Sequence, residues 1–172
     1  MRDVMWACPD GERVLLVDRP AAGRFISAVY RFDRVEVVDL EGAADLRSLH
    51  LRAGPVEIDL RAGPGWRIPL PRLRTAAITR WIEGPVARAA MGVRTYGVSP
   101  TGVREWYRAD EYRPLSTATA SVDGLDLGPL VPFVAPAGFG FSEPPRRPAM
   151  VRVRPRLHDP SGRLDAVLAE LR

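Results

Sequence analysis

The chain has 172 residues, 46% of them hydrophobic and 27% charged, ordinary values for one globular domain with a packed core. It contains no Lys, Asn or Gln, so all 25 basic residues are Arg, which excludes Schiff-base lysine chemistry, a lysine P-loop and Asn-linked glycosylation. The net charge of +4 is small, and the pI of about 9.9 reflects arginine rather than a strongly basic chain. Cys8 is the single cysteine and His50 and His158 the only histidines, so neither an internal disulfide nor a His/Cys zinc site is expected. No apolar run reaches the ~20 residues of a membrane span, and Met1–Arg13 carries no signal-like apolar region. A cytoplasmic protein with no metal, no cofactor and no membrane partner is therefore expected.

In chain order, Val14–Asp18 and Ala28–Leu40 read as strands, although neither alternates cleanly. The next segment does. Leu49, Leu51 and Ala53 alternate with Ser48, His50 and Arg52; beyond Gly54-Pro55, Val56, Ile58 and Leu60 alternate with Glu57, Asp59 and Arg61. A two-residue loop with Gly first suits a type II′ turn, which sets Leu51 opposite Ile58 on an apolar face and His50 opposite Asp59 on a charge-matched one. The echo Leu-Arg-Ala-Gly-Pro at 51–55 and 60–64 reads as turn chemistry. Gly63–Pro71 reads as a loop around Trp66. Thr75–Met91 reads as a helix, with Ile78, Trp81, Ile82, Val86 and Ala89 on one side and a break at Gly84-Pro85.

Gly92–Ala109 reads as a second hairpin around Ser99-Pro100-Thr101-Gly102. If Ser99 faces Val103, Tyr96 pairs with Trp106 and Arg94 with Arg108. Strand signal continues over Leu115–Val122. Pro129–Pro148 reads as a long structured loop carrying Phe133, Phe139 and Phe141. Met150–His158 alternates Arg152, Arg154 and Arg156 against apolar residues, and Ser161 is placed to cap a last helix with Leu164, Val167, Leu168 and Leu171 as its stripe. The whole reads as an α+β fold: a curved, mostly antiparallel sheet or β-barrel-like core, a broken helix mid-chain and a short C-terminal helix.

Four groups of residues are candidates for function. Arg94, Tyr96, Trp106 and Arg108 would hold an anionic or aromatic ligand by charge and stacking, with Arg146 and Arg147 as a further carboxylate or phosphate clamp. Glu105, Tyr107 and Asp110 could do acid–base work if buried. Arg152, Arg154 and Arg156, with Phe139 and Phe141 as stacking rings, could follow a nucleic-acid strand, though no RNA-binding strand motif is present. His50 with Asp59 reads as a surface pair. Gly138-Phe-Gly140-Phe-Ser142 is neither a dinucleotide fingerprint nor a nucleophile elbow.

The leading functional expectation is a small-molecule-binding β-rich protein, with room for a cofactor-independent enzyme. In it the sheet and the Phe/Pro loop enclose an anionic or aromatic organic ligand fixed by arginines. A nucleic-acid or acidic-partner binder ranks second. A homo-oligomeric accessory protein, a homodimer for instance, ranks third.

Overall fold

The chain was analysed as a computed structural model that describes residues 1–67, 93–134 and 136–170. The strands are β1 (Asp3–Ala7), β2 (Arg13–Val17), β3 (Arg34–Val37), β4 (Leu40–Ala44), β5 (Ser48–Ala53) and β6 (Val56–Ala62). They continue with β7 (Trp66–Arg67), β8 (Tyr96–Val98), β9 (Arg104–Val122), β10 (Leu125–Asp126) and β11 (Ala149–His158). Two helices are described, α1 (Pro20–Val29) and α2 (Arg163–Glu170). The helix read over Thr75–Met91 lies outside the described residues.

A small sheet has the order β1-β2-β3, with β1 and β2 antiparallel and β2 and β3 parallel. A parallel pair needs a crossover, and α1 supplies it. The sequence reading assigned no element to residues 19–27, and the strand read over Ala28–Leu40 is corrected at Ala28 and Val29, the last two residues of this helix. Pro20 opens it, where the missing N–H costs nothing, and Ala22, Ile26 and Val29 recur at helical spacing and are buried. Within that stretch Arg34–Val37 is strand and Leu40 opens β4.

The lack of alternation in β2 also has a cause: the strand is buried on both faces. Leu15 and Val17 pack on Ala22 and Ile26 of α1, whereas Val14 and Leu16 pack on Ala53 and Val56 of the larger sheet. The molecule is thus layered as helix, small sheet and large sheet.

The larger sheet runs β10-β9-β6-β5-β4, with β7, β8 and β11 also paired to β9. The first hairpin has the register its alternation implies. Leu51 faces Ile58, Ala53 faces Val56 and His50 faces Asp59, and Gly54 turns with φ +56° ahead of Pro55.

Strand β9 is the spine. One edge pairs in turn with β8, β7 and β6, and the other with β11 and β10. Pro114 lies beside the register shift in the β6 ladder, and Pro155 lies in β11, which pairs on one side with β9. The barrel alternative does not hold. The path ends on β4, which pairs with β5 and does not return to β10 or β11 among the described residues, so the sheet stays open. The α+β class and the antiparallel character stand. Among the described residues no helix is long and apolar enough to cross a membrane.

Helix α2 starts as expected near Ser161, with a different cap. The Asp159 carboxylate accepts from the Leu164 and Ser161 N–H groups (3.1 and 2.9 Å) and from the Ser161 hydroxyl. These bonds, the hydroxyl's first, hold its pKa down at about 2. Leu164 alone of the apolar stripe is fully buried, against Val29 and Val103.

Candidate functional site

The second hairpin has the register that places Ser99 opposite Val103. The Ser99 N–H donates to the Val103 carbonyl (2.8 Å) and that of Gly102 to the Ser99 carbonyl (2.9 Å). Tyr96 therefore faces Trp106, with ring centroids 5.1 Å apart. Because side chains alternate across a strand, the two faces of this hairpin carry different chemistry.

The outer face holds Tyr96, Val98, Arg104, Trp106 and Arg108. Strand β11 extends it, since Arg154 is opposite Arg108, Arg156 opposite Trp106 and His158 opposite Arg104. The aromatic cluster and the arginine stripe, read separately from the sequence, are one surface. Arg94 stands two residues before β8, and its N–H donates to the Ser142 hydroxyl (2.9 Å), so its pairing with Arg108 is not part of the ladder. Asp110 is the extra residue of a β-bulge opposite Arg152 and Val153. Its carboxylate lies 3.2 Å from Arg108 Nε and 2.8 Å from Arg154 Nε. Arg146 and Arg147 are exposed on the loop leading into Ala149, which faces Pro114. They sit roughly 25 Å along the strand from Trp106 and do not join the cluster.

The inner face holds Gly97, Ser99, Val103, Glu105 and Tyr107. Glu105 is completely buried. One carboxylate oxygen accepts from the Tyr107 hydroxyl (2.7 Å) and from that of Tyr30 (2.9 Å), and the two hydroxyls also touch each other. The other oxygen is buried with no hydrogen-bond partner. Burial pushes the Glu105 carboxyl above its ordinary range, against the two phenol hydrogen bonds that lower it. Burial likewise raises both tyrosines.

Of the glutamate–tyrosine pair, which the sequence reading required to be buried, Glu105 is buried and Tyr107 half-buried. Asp110 does not join it, and Tyr30 does. Tyr30 sits at the end of α1, 75 residues from Glu105, and no local signal links the two.

The Phe/Pro segment roofs this cluster. Phe141 stacks on Tyr107 (5.2 Å, 23°) and Phe139 packs on Phe32 (5.5 Å). Glu143 ties the segment by accepting from the N–H groups of Ala137 and Gly138, and the Arg31 N–H donates to the Phe139 carbonyl. Gly97 is required beneath it, since a Cβ there would stand 2.2 Å from the Phe141 ring. The Gly-Phe-Gly-Phe-Ser segment is therefore a packing device.

The same segment walls a cleft of about 290 Å³ on its other side. The floor is Val56 and Ile58 of β6 with Ala120 and Val122 of β9. One wall is β1, from Val4 to Ala7, and the other is Leu127, Phe133, Phe139 and Pro144. Every lining residue is apolar. Among the described residues neither an arginine nor Glu105 nor Tyr107 lines it, so the expected arrangement of an enclosed ligand clamped by guanidinium groups splits in two. The enclosure lies between the sheets, and the charge lies on the outer face of β8, β9 and β11. No signal in the sequence marks the cleft, because its walls come from five separate stretches of chain.

Among the described residues no cluster of three or more His, Cys, Asp or Glu is placed to hold a metal ion. Comparison of the chain with protein-family models, curated proteins and solved structures finds no match.

Proposed function

We propose that the protein binds a small, neutral, predominantly apolar organic molecule in the cleft between β1, the β6–β9 face and the Phe/Pro segment. One observation carries this reading: a volume of about 290 Å³ lined, among the described residues, by apolar residues alone, three of them being Trp6, Phe133 and Phe139. That size is at the lower end of the ~300–1,000 Å³ common for ligand sites. A charged ligand is disfavoured, because burial without a partner costs several kcal/mol. A proton-transfer reaction is disfavoured too, since no acid or base lines the walls.

The test is a fluorescence titration with the neutral dye N-phenyl-1-naphthylamine. Wild-type protein should give saturable, blue-shifted emission, sensitised by Trp6 and reduced in Trp6→Phe. Ala120→Phe fills the floor of the cleft and should weaken binding at least about tenfold. Leu127→Glu places a charge at an exposed rim residue, spares the fold, and should weaken it similarly. Absence of saturable binding, or binding unchanged in both variants, overturns the proposal.

A further inference from the structure

The outer face of β8, β9 and β11 is not used by the cleft, and it has its own chemistry. Arg104 and Arg108 on β9 and Arg152, Arg154 and Arg156 on β11 project from it, with Tyr96 and Trp106 between them. Same-face side chains recur about every 6.7 Å along a strand and about 4.8 Å between strands. The guanidinium groups therefore form two parallel rows.

Two carboxylates stand nearby. Asp110 lies against Arg108 and Arg154, and the buried Glu111 accepts from Arg113. Among the described residues no carboxylate pairs with Arg104, Arg152 or Arg156, all three exposed. Positive charge thus exceeds negative among the described residues of this face. Tyr96 and Trp106 are half-buried, their rings 5.1 Å apart on this face. The face belongs to the sheet that stays open. It suits an extended ligand whose charge repeats along its length and which carries flat groups able to stack.

We propose that this face binds single-stranded nucleic acid, with the β11 arginines on the phosphates and the Tyr96 and Trp106 rings under the bases. An acidic protein partner would use the arginines and leave the rings idle, which separates the two readings.

The experiment is fluorescence anisotropy of a labelled oligothymidylate across a salt series, using the full chain. Binding should appear at low salt and weaken with a log–log slope of roughly −0.7 per phosphate contacted. Replacing Arg152, Arg154 and Arg156 together by Ser should make that slope shallower by roughly 2. Trp106→Ala should weaken binding roughly five- to hundredfold with the slope unchanged, the signature of lost stacking. If Trp106→Ala melts early, Tyr96→Ser reports the same loss. No binding at low salt overturns the proposal. So does heparin competing on equal terms while both ring variants bind like wild type, since that marks a surface that reads charge alone.

Discussion

The two hairpins of this molecule were built by the same rule and differ in how openly their sequences declare it. In β5–β6 the inner face is Leu51, Ala53, Val56 and Ile58 and the outer face is charged, so alternation alone gives the register and the burial. In β8–β9 the register is just as firm, but the inner face is Gly97, Ser99, Val103, Glu105 and Tyr107, while the outer face carries Tyr96, Val98 and Trp106. Val98 is 53% exposed and Glu105 is fully buried. Polarity and burial are inverted there. The first hairpin meets a hydrophobic layer, whereas the second meets another polar side chain, the Tyr30 hydroxyl, beneath a ring that requires a glycine.

The largest effect expected from this comparison is at Leu51, on the face that behaves conventionally. Leu51→Asp puts a charge among Ala53, Val56 and Ile58 and should cost about 3–5 kcal/mol by equilibrium denaturation. A wild-type midpoint would mean that this face is not core.

On the second hairpin the sensitive position is Gly97. Gly97→Ala should destabilise by roughly 1–3 kcal/mol through overpacking against Phe141. The loss should shrink when Phe141→Ala is added, because the two sites share one contact. Additive losses would show that the roof does not press on Gly97.

Glu105 gives a pH signature. Its folded pKa is raised, so the folded state holds this proton more tightly than the unfolded chain does. The resulting stability is complete below the unfolded carboxylate value of about 4.5 and is lost as pH rises toward the folded value. The slope in that window is at most ~1.4 kcal/mol per pH unit. Denaturation midpoints of Glu105→Gln should lack this decline, and the difference from wild type should favour the variant increasingly as pH rises. A pH profile identical to wild type would mean that the carboxyl is ionised in both states.

The smallest effect belongs to His50. It meets Asp59 at 2.9 Å on the exposed face of the first hairpin, and His50→Ala should change stability by less than about 0.5 kcal/mol. A larger loss would give that pair a structural role it does not have here.

These contrasts also explain what was legible in the sequence. Both hairpin turns, strands β5, β6, β8 and β11, most of β9 and the Tyr96–Trp106 pairing follow from local rules of alternation and turn chemistry, which need only neighbours in sequence. By contrast, β7 lies in the segment read as a loop, and β10 is too short to signal itself. Helix α1 went unassigned because its apolar face is built largely from small residues, Ala22 and Gly23 beside Ile26, and the cue at Pro20 is one residue long. The Glu105–Tyr107 pair was readable, but its third member Tyr30, its burial and its separation from Asp110 by a bulge were not, since each depends on what α1 and the Phe/Pro segment bring across the fold. The cleft was beyond reach for the same reason. The arginines seemed available to any ligand, and only the lining of the cleft shows that none of the described ones faces it.

That last point is the centre of the functional account, and one measurement addresses it directly: displacement of bound N-phenyl-1-naphthylamine by octanol and by octanoate at neutral pH. The two competitors share a chain and differ in charge. Octanol should displace the dye at concentrations at least about tenfold lower than octanoate, because the walls from Val4 to Pro144 offer nothing to balance a carboxylate. Octanoate displacing as well as octanol, or better, would put an arginine in the binding site and contradict the account.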